Sequence, residues 1–318
     1  MTITIVSSIQ TTFLIQESAL SITMIVCGVI TFIQAHGFRW FGAKQLLPPS
    51  SNPAYTGASL LAAHMGEMPL VYGMTCFSGI IEMLISPAIR WFKYILPEKY
   101  IGSIVILIGF EIASVGVTNL FGDFSEMQSL PNIFLGVGLI LFILFIQISS
   151  RGVFKYFAFL IAIVVGYTIY ILINGINTNF SHLFHSTSWV LFPKNNALFN
   201  WHFDFNLAIL FLIASFISVF KVVGSISVLQ RLRNKEQKKL DLKDVSKGNL
   251  ADGLGTFLCG FFGGTGVNAS STCMALSVET KVANKYIGYV TALFTVLLAF
   301  CGKLMVLLLM TPLSTSPK

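Results

Sequence analysis

PPSSNPAYTGAS at residues 48–59 and GGTGVNASST at residues 263–272 are the two stretches whose reading decides the fold. Each interrupts a long series of apolar spans, and each is too short and too rich in Gly, Pro, Ser and Thr to be an ordinary membrane helix. Matched interruptions in two halves of a membrane chain mark helices that stop at mid-bilayer, where free backbone can meet a solute. The pair predicts a solute carrier whose site lies between the two breaks.

Composition agrees with a bilayer setting. Of 318 residues, 55% are hydrophobic and only 10% charged, with 29 Phe and a mean hydropathy of +0.79. A soluble domain would lack the polar surface to cover so many apolar side chains. The expected fold class is an all-α polytopic membrane protein of about ten membrane segments, two of them broken and carrying short extended strands. Spans are predicted over residues 18–34, 47–64 (broken), 69–85, 101–121, 132–150, 156–174, 205–230, 248–262, 267–276 (broken) and 286–310. The five cysteines fall inside these spans with no CxxC or Cys/His spacing, which argues against a disulfide framework and against a metal site. No nucleophile elbow, Gly-rich phosphate loop or soluble carboxylate pair points to an enzyme or a cofactor.

Charge tests the span map. Arg39 and Lys44, then Arg90, Lys93 and Lys99, then Arg151 and Lys155, then the seven from Arg231 to Lys247, then Lys281 and Lys285 all fall on alternate connections. The positive-inside rule makes that side cytoplasmic and puts both ends on the other side. The formal charge of +7 is thereby an orientation signal and not a nucleic-acid footprint. The stretch RLRNKEQKKLDLKDVSK, residues 231–247, reads as a solvated loop beside anionic headgroups. On the outer side, His182, His185, His202, Trp189 and Trp201 lack ligand-like spacing and read as interfacial aromatics. Residues 1–17 show no signal-peptide pattern. The expected location is a bacterial inner (plasma) membrane, crossed many times.

An ionisable group inside a membrane segment costs about 2.5–3.5 kcal/mol on insertion scales and persists when it is paired or faces water. Five qualify: Glu82, Glu111, Lys221, Asp252 and Lys303. Lys221 is the sharpest. It lies about ten residues, roughly 15 Å, from the cytoplasmic end near Arg231, beyond the reach of a snorkelling stem. It reads as a substrate-facing or proton-linked cation, with a structural pairing to Glu111 or another buried acid as the alternative. Glu111 is a second candidate for ion coupling. Glu82 reads as a partner of Arg90, and Asp252 as a carboxylate capping the first turn of its span. Lys303 is placed deep in the last span.

The broken segments supply the rest of the site. A helix that starts at mid-membrane has first-turn N–H groups without internal partners, free to donate to a carbonyl-rich solute. Asn52, Tyr55 and Thr56 in the first break, and Asn268, Ser270, Ser271, Thr272 and Cys273 in the second, are the expected lining. Tyr55 would offer a face for stacking a planar ring. Helix packing through small residues is the alternative for each Ser or Thr.

The run NLADGLGTFLCGFFGGTG (residues 249–266) followed by NASSTCMALSVETK (268–281) resembles the ninth and tenth segments of the nucleobase/ascorbate transporter family, nucleobase:cation symporter 2, the xanthine and uracil permeases. IGSIVILIGFEIASVGVTNLFG (101–122) and PLVYGMTCFSGIIEMLISP (69–87) are similar to that family's fifth and fourth segments. The resemblance covers family segments two to eleven. It implies an inverted-repeat fold of seven plus seven segments in which a core moves against a gate. It also implies proton- or sodium-driven symport of a nucleobase such as xanthine, urate or uracil, with a homodimer as a candidate assembly. Residues 18–85 and 205–310 would then be core and residues 101–174 gate.

Three departures qualify the resemblance. The family's tenth-segment signature, Gln or Glu followed by Asn-x-Gly-x4-Thr-Arg/Lys, is met by Thr272, Cys273, Met274 and Ala275 and then by Thr280 and Lys281, so Thr272 stands where the base-binding acid would be. On the eighth segment, where many members carry Glu, then Gly, then His, this chain has Lys221, Gly224 and Ser225. A cation there would favour an anionic or carbonyl-bearing purine. By this resemblance the family's first segment is expected to be missing or reduced to residues 1–17, and members would continue into three more segments beyond TPLSTSPK. The sequence therefore leaves open a nucleobase symporter, a truncated membrane protein without transport activity, and an anion carrier of the related sulfate-transporter fold.

Overall fold

Helices follow the apolar runs because a backbone in lipid must satisfy its own hydrogen bonds, and a helix does so within one segment. The computed structural model describes residues 13–89, 106, 110, 117, 122–123, 126–127, 130–149, 157–174, 187–193, 200–233 and 241–309. It divides into two units, one of residues 1–109 and 188–305, the other of residues 110–187 and 306–318.

In the second unit, α3 (Leu130–Ser149) and α4 (Ala158–Asn174) pack together, with Gly166 against the Leu139 side chain. Two-residue strands β2 (Gly122–Asp123) and β3 (Glu126–Met127) pair antiparallel. The first unit begins with α1 (Phe13–His36), β1 (Pro49–Ser51) and α2 (Pro53–Ile85). It continues with α5 (Phe205–Arg233), α6 (Leu242–Phe262), β4 (Val267–Ala269), α7 (Ser271–Thr280) and α8 (Lys285–Ala299), from which α9 (Gly302–Leu309) follows. Among the described residues, three helical stretches are long and apolar enough to cross a membrane: Glu17–His36, Ala54–Ile89 and Phe205–Arg233.

Of three boundaries, one agrees with expectation and two differ. Residues 47–64 and 69–85, expected as separate spans, are two helical stretches that meet at a kink within Pro53–Ile85. The kink sits at Gly66 (φ −150°, ψ 23°) and Glu67 (φ 56°, ψ −160°), just before Pro69, whose ring disfavours helical backbone ahead of it. Second, α6 starts at Leu242 because the Asp241 side chain accepts from the Lys243 and Asp244 amides. Asp252 therefore lies in the helix interior and does not cap its first turn. Third, the span expected over residues 286–310 breaks at Phe300–Cys301. There Val190 pairs with Cys301, the Leu191 N–H donates to Phe300 O (2.8 Å), and the Gly302 N–H donates to Trp189 O (3.1 Å). Lys303 is thus at the start of α9, its ammonium 4.2 Å from the Trp189 ring centre, and is not deep in a continuous span.

Close helix crossings position the site. A Cβ on Gly260 of α6 would come within 2.6 Å of the Cys76 amide nitrogen, and one on Gly253 within 2.9 Å of the Glu82 Cβ. On the same contact, Gly79 of α2 meets the Phe257 backbone. These glycines bring α2 and α6 nearly into backbone contact, which sets Glu82 and Asp252 beside each other.

Candidate functional site

The two broken stretches meet. β1 and β4 run antiparallel with Pro49 opposite Ala269, Ser50 opposite Asn268 and Ser51 opposite Val267. Beyond the strands, the Asn52 N–H donates to Gly266 O (3.0 Å) and the Ser270 N–H to Pro48 O (2.9 Å). Backbone that neither helix could satisfy is satisfied across the pair. Gly266 is required here, since a Cβ on it would press within 2.7 Å of the Tyr55 ring.

Each strand runs into a helix N-terminus, and the two termini differ. At α2, the Asn52 carboxamide oxygen accepts from the Ala54 N–H, Pro53 has no N–H, and the Tyr55 N–H donates to Asn52 O (3.2 Å). That terminus is closed. At α7, the Ser270 hydroxyl accepts only from Cys273 N–H (3.3 Å). The Ser271 and Thr272 amides are first-turn donors that the helix itself cannot satisfy. The end with first-turn donors to offer is thus the one at α7. Thr272 is exposed beside it, and Cys273 and, on α2, Thr56 are half-buried. The Thr56 hydroxyl donates to Asn52 O (3.4 Å).

Behind the strands lies a buried polar layer. The Asn268 amide donates to the Ser218 carbonyl (3.0 Å) and also meets the Ser218 hydroxyl, which the Asn52 amide reaches from the other strand (3.4 Å). The Thr256 hydroxyl donates to Val267 O (2.7 Å), pinning β4 to α6. Tyr55 is 1% exposed, stacked near Phe211, and its hydroxyl donates to Glu82 Oε1 (2.5 Å). Its ring is packing and its hydroxyl is committed, so it does not present the stacking face expected of it. Glu82 accepts that bond; Arg90, its expected partner, lies outside the described residues, as does Glu111.

Three ionisable side chains converge here. Glu82 is 0%, Asp252 1% and Lys221 7% exposed, and the Asp252 carboxyl feels the charges of both the Lys221 ammonium and the Glu82 carboxyl. Ser225, one turn past Lys221, and Ser271 are buried, and their hydroxyls have no hydrogen-bond partner among the described residues. Glu82, Asp252 and Ser218 were not anticipated as site residues. A signal for Ser218 was present, because Ser215, Ser218, Lys221 and Ser225 recur at three- and four-residue spacing, one stripe on α5.

The chain matches the xanthine/uracil permease model, described as "Permease family", over residues 1–315. It is 24% identical over 298 residues to a uric acid permease of Bacillus subtilis, covering 92% of this chain and 66% of that protein. It is 25% identical over 301 residues to a uric acid transporter of Escherichia coli (92% and 61%), and 26% identical over 284 residues to the xanthine permease of Bacillus subtilis (88% and 63%). The chain thus spans less than two thirds of the length of these relatives. Among solved structures, the transmembrane domain of a cyanobacterial bicarbonate transporter is similar in fold. The TM-score is 0.52 at 12% identity, with 96% of this chain and 84% of that one covered.

Proposed function

We infer a transport function from one premise: the chain belongs to the xanthine/uracil permease family. It is a membrane protein of that family, and we propose that it takes part in proton-coupled symport of a nucleobase, a purine such as xanthine or urate in preference to uracil. The observation that carries this reading is the β1–β4 pair, which sets the open N-terminus of α7 next to Asn268 and its partner Ser218, three residues before Lys221 on α5. The Ser271 and Thr272 amides would donate to ring carbonyls, and the amide of Asn268 and the hydroxyls of Thr56 and Thr272 would add in-plane contacts. With Thr272 in place of an acid, the site offers donors and few acceptors, which suits the oxidised, carbonyl-rich and readily anionic purines. The unit of residues 1–109 and 188–305 is the transport core in this proposal, and the unit of residues 110–187 and 306–318 the gate.

Uptake of labelled xanthine, urate and uracil by cells expressing the chain, with the proton gradient intact and collapsed, tests the reading. Uptake of a purine that falls when the gradient is removed is the expected result. No uptake and no binding of any of the three by the purified chain would remove it.

A further inference from the structure

We propose that Glu82 and Asp252, with Lys221 as their fixed counter-charge, form a buried proton-holding site, and that Glu82 is the acid that takes up and releases the proton. The proposal rests on the carrier reading for its role in transport, and on geometry alone for the existence of the site.

Two carboxyl groups and one ammonium share a buried space, so with all three ionised one negative charge stays without a fixed partner. One proton balances the set. The polar atoms that could receive it are in place: Glu82 Oε2 is buried without a hydrogen-bond partner among the described residues, and the buried Asp252 carboxyl faces only the backbone of Ala269. An unsatisfied buried carboxylate is costly, and protonating one of two neighbouring carboxylates removes one of the two negative charges and supplies a donor. The titratable neighbours from every packed element are Tyr55 on α2, Lys221 on α5, Cys27 on α1 and Cys259 on α6. Lys221 is the cation among them, and its charge is already opposed by two acids.

Glu82 is singled out over Asp252 by hydroxyl contacts that reach both broken stretches, whereas Asp252 faces the backbone of Ala269 alone. Glu82 Oε1 accepts from Tyr55, in the first turn after β1, and the Glu82 carboxyl also faces the Ser218 hydroxyl, which Asn52 and Asn268 contact from both broken stretches. A solute that draws on the Asn268 amide changes what Ser218 offers Glu82, and with it the cost of leaving Glu82 ionised. In the step itself an O–H bond forms on the Glu82 carboxylate with a proton from water on the outer side and breaks again to water on the inner side. No electron moves, and Lys221 stays charged throughout.

The test uses the full chain reconstituted in liposomes, with labelled xanthine as probe. Glu82→Gln is expected to keep exchange of internal for external xanthine while gradient-driven accumulation falls to the level of the gradient-free control. Accumulation by Glu82→Gln that matches the parent protein overturns the proposal, as does accumulation driven by a sodium gradient alone. Infrared spectroscopy of the purified chain tests the site without any solute. A protonated-carboxyl stretching band is expected in the parent protein and is expected to be lost in Glu82→Gln, and a band unchanged in that variant overturns the assignment to Glu82. If the parent protein exchanges no nucleobase but the band is lost as described, the carrier reading fails and the proton site stands.

Discussion

Lys221 carries the residue-scale argument because its depth alone demanded a partner. The structure sets Asp252, a buried acid on a different helix, near enough to feel its charge. Removing one member of such a set leaves the other charge uncompensated, which costs about 3–5 kcal/mol in buried pairs, whereas removing both costs far less. Lys221→Ala is therefore expected to lower thermal stability in detergent sharply, and Lys221→Ala with Asp252→Asn to recover most of the loss. Equal melting temperatures for the single and double variants would show that the two side chains are independent. Position along a span was enough to find Lys221. It misjudged Asp252, assigned by nearness to a helix end. Where a helix crosses its neighbour depends on glycines on another helix, which distance along one segment does not report. A second residue-scale test is Glu67, which holds φ 56° and ψ −160° at the α2 kink, a conformation costly for any side chain. Glu67→Gly is expected to raise stability by about 1 kcal/mol, read as a higher melting temperature.

At the scale of elements, the kink at Pro69 and the β1–β4 pair do different work. The breaks themselves were legible, since Pro48, Pro49 and Pro53 and the glycines at 263, 264 and 266 exclude continuous helix. The register was not, because three-residue strands carry too little alternation to fix it, and tertiary hydrogen bonds to Ser218 and Thr256 set it instead. Directly opposed residues on an antiparallel pair have Cα atoms about 4.5–5.5 Å apart, within disulfide range. Ser51→Cys with Val267→Cys, in a chain whose own cysteines are replaced by alanine, should therefore cross-link under mild oxidation. A pair one residue out of register, Ser51→Cys with Asn268→Cys, should cross-link poorly, and equal yields would refute the register. The α2–α6 crossing is as demanding. Gly260→Leu would drive a branched side chain into the Tyr72–Cys76 backbone, and overpacking of this kind costs about 1–3 kcal/mol, visible as lower yield of folded protein.

Taken as a whole, the first unit separates charge along its length. One end gathers Arg39 and Lys44, tied to α6 through the Gly42 N–H to Lys247 O bond (2.9 Å), together with Arg231 and Arg233 at the last turn of α5. The other end gathers Asp204, which caps α5, and His202, whose N–H donates to Pro69 O (3.1 Å) beside Glu67 at the kink. This segregation was readable from the sequence because it needs only the order of spans and the sign of each connection. It survives the corrections to individual boundaries for the same reason. The positive-inside rule then assigns the Arg39 end to the cytoplasm. In the cysteine-free background, His202→Cys is expected to react with a membrane-impermeant maleimide on intact cells, and Arg39→Cys only after the membrane is opened. Both residues are exposed, so reactivity reports sidedness and not burial. The reverse pattern would invert the molecule, and with it the direction in which Glu82 would pass a proton between the two aqueous sides.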